Sequence, residues 1–147
     1  MFKKYVVDSS VIIKWLNPTN EVRVDIADKI LEDAQRGKLQ LITSDLAKYE
    51  VGNVLLVHKK LSAKDAEKTF TNFYNLPIEF VSTNEELALK IYLTANHATN
   101  NGKVKITYYD SAFVALAKQE NATLVTDNPK HQAKIKGVKV IPLEKYQ

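Results

Sequence analysis

The sequence predicts an α/β protein built on a five-stranded parallel sheet, order 3-2-1-4-5, with helices on both faces. Three observations lead there. Short apolar runs alternate with amphipathic stretches along the whole chain, the pattern of strand–helix–strand units. Runs such as Tyr5-Val6-Val7 and Leu124-Val125 are continuously apolar, as strands covered on both sides must be. Two of the runs end in an acid, Asp8 and Asp127, and parallel sheets bind ligands beyond the carboxyl ends of strands where the strand order reverses. Placing strands one and four side by side brings both acids to that crevice, whereas a flavodoxin-like order 2-1-3-4-5 would separate them.

Taken in order, Tyr5–Asp8 reads as a buried strand. Ser9 or Ser10 is placed to cap a helix through about Leu16, which Asn17-Pro18 stops. A second helix is expected from near Asn20 to Arg36, with Val22, Ile26, Ile30, Leu31 and Ala34 apolar and Gly37 at its end. Leu39–Thr43 is a strand, and Ser44 can cap a helix running to Lys60. Ser62-x-x-Asp65 is a capping box for a helix to about Leu76, followed by a strand at Ile78–Val81. Thr83-x-x-Glu86 suggests a further helix, whose pattern dissolves in the polar stretch Asn96–Lys105. Thr107-x-x-Asp110 opens a helix to about Glu120, and Thr123–Thr126 is the fourth strand. Pro129–Lys136 reads as a short helix and Val138–Ile141 as the fifth strand.

Composition sets bounds on this picture. The 147 residues, 45% hydrophobic and 26% charged, suit one domain over residues 1–147 with a core large enough to stand without staples. There is no cysteine, so disulfides, thiolate metal sites and thiol nucleophiles are excluded. Lys3 and Lys4 precede too few apolar residues for a signal peptide, and no stretch approaches the roughly 20 apolar residues of a membrane span. A cytoplasmic, membrane-free protein is the expectation. Basic residues outnumber acids 21 to 17, and several acids are assigned to one pocket, which leaves a surface suited to a polyanion or simply a lysine-rich solvated one.

The chemistry rests on Asp8, Glu50, Asp110 and Asp127. Glu50 interrupts the apolar stripe of Leu46, Ala47, Val54 and Val57, and Asp110 shares a face with Phe113, Val114 and Ala117. Carboxylates in such positions are paired or hold a metal. Each has a plainer reading. Glu50 can sit at the stripe's edge with its head in water, Asp110 can complete a capping box, and Asp8 can cap the first helix. Asp127-Asn128-Pro129 can be a turn. Together, clustered carboxylates without histidine or cysteine partners suit a hard dication, Mg²⁺ or Mn²⁺. His58, His97 and His131 show no ligand spacing, and Gly-x-Gly-x-x-Gly and Gly-Lys-Ser/Thr motifs are absent. Lys14, Lys48, Lys103, Lys105 and Lys130 fall near the crevice and can meet backbone phosphates.

Four stretches occur in a familiar order: Val6-Val7-Asp8-Ser9-Ser10-Val11 through Leu16, Tyr49-Glu50-Val51-Gly52-Asn53-Val54-Leu55, Thr107-Tyr108-Tyr109-Asp110 through Ala117, and Ala122 through Asp127. With them the chain resembles the PIN-domain ribonucleases, and among these the VapC toxins of VapBC toxin–antitoxin systems. The resemblance implies an acidic Mg²⁺/Mn²⁺ pocket, homodimerisation, endonucleolytic cleavage of structured RNA of the tRNA or rRNA class, and a cognate antitoxin whose C-terminal segment blocks the groove. By position Asp8, Glu50 and Asp110 match the family acids, Ser10 the small hydroxyl after the first, and Thr126 the threonine near the fourth. The family shows threonine, any residue, then aspartate. Here Asn128 holds that last place and Asp127 comes one residue early, so either may fill the fourth position; the charge a dication needs favours Asp127. Three other readings remain beside the toxin: a PIN nuclease that processes RNA without an antitoxin, an RNA-binding module that has lost turnover, and an aspartyl phosphohydrolase. The last needs an aspartate where Ser10 stands.

Overall fold

The computed structural model describes residues 2–147. Its sheet has five strands in the order β3-β2-β1-β4-β5: β1 (Lys3–Val7), β2 (Leu39–Ser44), β3 (Ile78–Val81), β4 (Thr123–Thr126) and β5 (Val140–Pro142). Every pairing is parallel. This is the order that the two strand-end acids suggested. The central strands supply Val6, Val7, Ile42, Leu124 and Val125, each at most 1% exposed, so the sheet is covered on both sides. That burial explains why these strands read as unbroken apolar runs.

The helices are α1 (Ser9–Leu16), α2 (Val24–Gln35), α3 (Leu46–Asn53), α4 (Ala63–Tyr74), α5 (Glu85–Asn100) and α6 (Tyr108–Gln119). Trp15 on α1 donates its indole N–H to the Ala27 carbonyl at 2.7 Å, which ties α1 to α2. Phe73 on α4 is fully buried and meets Phe80 of β3 edge-on at 5.5 Å. No helix of the described residues is long and apolar enough to cross a membrane.

Several boundaries and caps are settled differently from the main sequence expectation for identifiable reasons. The cap of α1 is Asp8, whose carboxylate accepts from Ser10 N–H, so neither serine serves as the cap. Helix α2 starts only at Val24, because Asn20 and Arg23 adopt left-handed backbone, with φ of 61° and 56°, and hold the preceding segment as a turn. Helix α3 does not run straight to Lys60: it widens into a π turn at Val54–His58, beyond which Lys59 Nζ bonds the Thr19 carbonyl and Glu21. Asn84, not Thr83, caps α5, accepting from Leu87 N–H at 2.8 Å, and the helix continues through the expected loop to Asn100. Residues 96–100 are therefore the exposed end of the helix, with Ala98 still buried, and the expected polar loop begins only at Asn101. The segment after Pro129 forms only a single 3₁₀ turn at Gln132–Lys134 before β5, which begins at Val140.

Leu124 is fully buried at the centre of β4, between β1 and β5. Leu124→Ala should therefore lower the unfolding free energy by about 2–5 kcal/mol, read from urea denaturation. An unchanged midpoint would contradict this account of the core.

Candidate active site

Sheet register creates the first part of the site. Val7 pairs with Val125, so the next residues, Asp8 just past the end of β1 and Thr126 at the last position of β4, lie side by side. Thr126 is fully buried and donates its hydroxyl to Asp8 Oδ2 at 2.5 Å. Asp8 Oδ1 accepts from Ser10 N–H at 3.1 Å and from the Ser10 hydroxyl at 2.5 Å. Ser10 Oγ in turn accepts Asp127 N–H at 3.0 Å, and Thr126 Oγ1 accepts Asn128 N–H at 3.0 Å. Asp8 is 7% exposed, and burial pushes its carboxyl above the ordinary range despite the hydrogen bonds from Ser10 and Thr126 that favour ionisation.

Helices bring two more acids to the same mouth. Ser9, in the first turn of α1, donates to Glu50 Oε1 at 2.8 Å and so joins α1 to α3. Burial raises the Glu50 carboxyl; the Ser9 bond opposes this, and the charges of Asp8 and Asp110 add to it. Asp8 and Asp110 are thus both close enough to act on Glu50. Asp110 stands in the first turn of α6, where its N–H is accepted by Thr107 Oγ1 at 3.0 Å and the helix dipole favours a negative charge. Thr107 caps α6 as its position suggested. Gln132, nearly buried, donates from Nε2 to the Asp110 carbonyl at 3.3 Å.

Asp127 has a different environment. Its two oxygens meet Lys14 Nζ at 2.9 Å and Arg23 Nε at 2.6 Å, with Arg23 Nη2 at 3.1 Å. Lys14, only 2% exposed, also bonds the Val22 carbonyl at 2.8 Å and lies 3.4 Å from Glu21, which itself pairs with Lys59 at 2.9 Å. Burial alone would raise the Asp127 carboxyl. The hydrogen bonds and charges of Arg23 and Lys14 outweigh it and hold the group below the ordinary carboxylate range. Asn128 is exposed and contributes its backbone N–H to Thr126.

The four acids are thus of two kinds. Asp8 and Glu50 are held by hydroxyl groups, which orient a carboxylate and leave its charge uncancelled, and Asp110 adds a third negative charge beside Glu50. Asp127 is neutralised by two cations. Among the described residues, no three acidic or imidazole side chains converge on one point at ligating distance as they lie. The donor chemistry nevertheless fits a hard dication: oxygen ligands, no competing cation on Asp8 or Glu50 among the described residues, and acidic charge around Glu50 that such an ion offsets.

Sequence reasoning missed Ser9 as the partner of Glu50 and Arg23 as the partner of Asp127. Lys14 carried a signal, since it is a charge between Ile13 and Trp15 in an apolar helix, but it read as a phosphate contact when it is a buried counter-charge. Nothing local marks Arg23, whose partner is 104 positions away. Lys48 is likewise occupied, lying over the rings of Phe80 and Tyr74.

The profile of the PIN domain family matches residues 5–137. The chain belongs to the PIN domain family. Solved structures of similar fold include VapBC2 from Rickettsia felis bound to a promoter DNA fragment, with a TM-score of 0.71 and 18% identity over 95% of this chain and 98% of that one. FitAcB from Neisseria gonorrhoeae gives a TM-score of 0.71 and 19% identity, covering 97% of this chain and 99% of that one. VapC20 of Mycobacterium tuberculosis, described as a sarcin-ricin loop cleaving toxin, gives 0.65 and 12% identity, covering 92% and 98%. No curated protein matches the sequence.

The two kinds of acid make opposite predictions for stability. A lowered Asp127 pKa contributes stability above its unfolded value, which is lost as pH falls through the folded value. Asp127→Asn should therefore cost about 2–3 kcal/mol at neutral pH and flatten the acid limb of the stability curve. The raised Asp8 pKa penalises folding as pH rises above the unfolded value, in full above the folded one, so Asp8→Asn should stabilise the metal-free protein at neutral pH. Urea unfolding in EDTA between pH 3 and 8 checks both; the same sign for the two variants would refute the distinction.

Proposed function

We propose that this PIN domain is a metal-dependent endoribonuclease that hydrolyses RNA phosphodiester bonds, and the toxin of a type II toxin–antitoxin pair. The observation that carries the proposal is the Asp8 carboxylate at the carboxyl end of β1, fixed by Ser10 and Thr126, with Glu50 bonded to Ser9, the residue next to it, and both acids held only by neutral donors. Asp8, Glu50 and Asp110 would hold Mg²⁺ or Mn²⁺. When bound, such an ion supplies a water of lowered pKa and positive charge for the phosphodiester.

The protein's own groups do the rest. Ser10 and Thr126 fix both oxygens of Asp8 in one orientation. Glu50, oriented by Ser9 and raised by burial and by its acidic neighbours, is the group best suited to take a proton from the attacking water. Asp127 acts at one remove: clamped by Lys14 and Arg23, it fixes the end of β4 and presents its N–H to Ser10.

Substrate and partners follow from the surface and from the similar structures. The net charge of +4 favours a polyanion, and the similarity to a toxin described as cleaving the sarcin-ricin loop supports structured RNA of the tRNA or rRNA class. The VapBC and FitAcB assemblies support a cognate antitoxin. Leu89 and Tyr92, each more than half exposed and one turn apart on α5, support an apolar face for a homodimer. The cytoplasm is the compartment proposed.

A second reading has one observation in its favour. With Asp127 neutralised and Asn128 in the family's acidic slot, the site has three available acids, which suits an RNA-binding module that turns over little substrate. Turnover separates the two. Purified protein with Mn²⁺ or Mg²⁺ should cut structured RNA, and EDTA should stop it. Asp8→Asn, Glu50→Gln and Asp110→Asn should each lower the rate at least about a hundredfold, the several kcal/mol expected of a lost metal ligand. Cleavage that persists in EDTA would overturn the proposal, and metal-independent RNA binding without cleavage would leave the binding module.

A further inference from the structure

A second feature lies outside the acidic site. Helices α5 and α6 and the segment leading into β5 enclose a cleft of about 880 Å³, within the range of ligand pockets. Four lysines line it, Lys90, Lys118, Lys134 and Lys136, and no carboxylate does. Lys90 is paired with Glu86 at 2.9 Å; among the described residues the other three have no acidic partner. Unpaired lysines are also found on the open surface, but here three of them stand around one concave, carboxylate-free space. The floor is aliphatic, including Val104 and Val114, both nearly buried. Such a cleft suits a ligand that combines phosphate charge with apolar ribose or base surface.

The cleft is physically joined to the acidic site in two ways. Asp110, Val114 and Lys118 follow one another at four-residue intervals along one face of α6, which sets Lys118 about 12 Å beyond Asp110 along the helix. Gln132 bonds the Asp110 carbonyl, and two residues later Lys134 lines the cleft. A strand with its reacting phosphate at Asp110 therefore has a neighbouring stretch within reach of Lys118 and Lys134.

We propose that this cleft is an RNA-strand subsite, in which Lys118, Lys134 and Lys136 hold phosphates away from the scissile bond and the aliphatic floor receives ribose or base. The proposal rests on the ribonuclease reading. A free nucleotide carries the same chemistry, so the test separates the two sources.

The test uses Asp8→Asn protein in EDTA, which binds without cutting, and a fluorescein-labelled single-stranded oligoribonucleotide of twelve residues. Anisotropy is followed across a salt series. Lys118→Gln/Lys134→Gln/Lys136→Gln should weaken binding about tenfold or more and reduce the slope of log affinity against log salt by about 2, from three phosphates at roughly 0.7 each. The control triple Lys29→Gln/Lys64→Gln/Lys68→Gln, on exposed faces of α2 and α4, should change neither. Equal losses from both triples, or none from the cleft triple, would overturn the subsite. Adenosine monophosphate binding as tightly as the oligonucleotide, and lost in the cleft triple, would assign the cleft to a free nucleotide and overturn it too. Displacement of the RNA by an equimolar acidic peptide would assign it to a protein partner. Cleavage by otherwise wild-type protein is scored separately: a chain that cuts RNA equally with or without the cleft lysines keeps the nuclease reading and loses the subsite. One that binds through the cleft yet never cuts does the reverse.

Discussion

The parallel pairing of β1 with β4 is the constraint on which the site depends. It is a backbone register, set by burying Val6 and Val7 against Leu124 and Val125, and it decides which residues come together at the strand ends. Because side chains alternate along a strand, a slip by one residue would reverse the facing of every side chain on β4, including Thr126. The observed register puts the Thr126 hydroxyl on Asp8 and the Asp127 N–H on Ser10. Core packing and site assembly are therefore one event. A strand pair that buries its apolar run correctly has already oriented the first acid.

The chain then sorts its acids by the partners it gives them. Hydroxyl groups from Ser9, Ser10 and Thr126 restrain Glu50 and Asp8 without cancelling their charge, and both carboxyls are held above the usual range. Lys14 and Arg23 do cancel the charge of Asp127, and that carboxyl falls below it. A concentrated uncancelled charge stores an unfavourable energy that a dication can release; a cancelled one has little left to offer an ion. The same accounting separates the lysines. Lys14 and Lys59 are bound up in an internal network, whereas Lys118, Lys134 and Lys136 surround a cleft without an acid.

Much of this was legible in the sequence because it depends on local pattern. The apolar runs and their terminal acids fixed the strand order, and Glu50 and Asp110 stood out as charges in apolar helices. Thr107 and Ser62 announced their helices and cap them. What escaped was long-range or compensated. Arg23 reaches Asp127 only because residues 20 and 23 take left-handed backbone, which no propensity predicts for arginine. The π turn after Asn53 leaves an apolar pattern that reads equally well as continuous helix. Charge favoured Asp127 over Asn128 in the sequence, but the two cations that Asp127 meets come from distant positions and left no local sign. The acid one residue early is the one of the four that meets two cations, Lys14 and Arg23.

On the proposed reading, Asp8, Glu50 and Asp110 form the cation site while Asp127 serves the scaffold. Mn²⁺ binding followed by electron paramagnetic resonance, at fixed protein and increasing metal, addresses it without reference to any substrate. The account predicts one ion per chain in the wild type, binding at least tenfold weaker in Asp8→Asn and Glu50→Gln, and affinity within about threefold of wild type in folded Asp127→Asn. If Asp127→Asn loses the ion as completely as Asp8→Asn while keeping its fold, Asp127 is a ligand and the division of the acids is wrong.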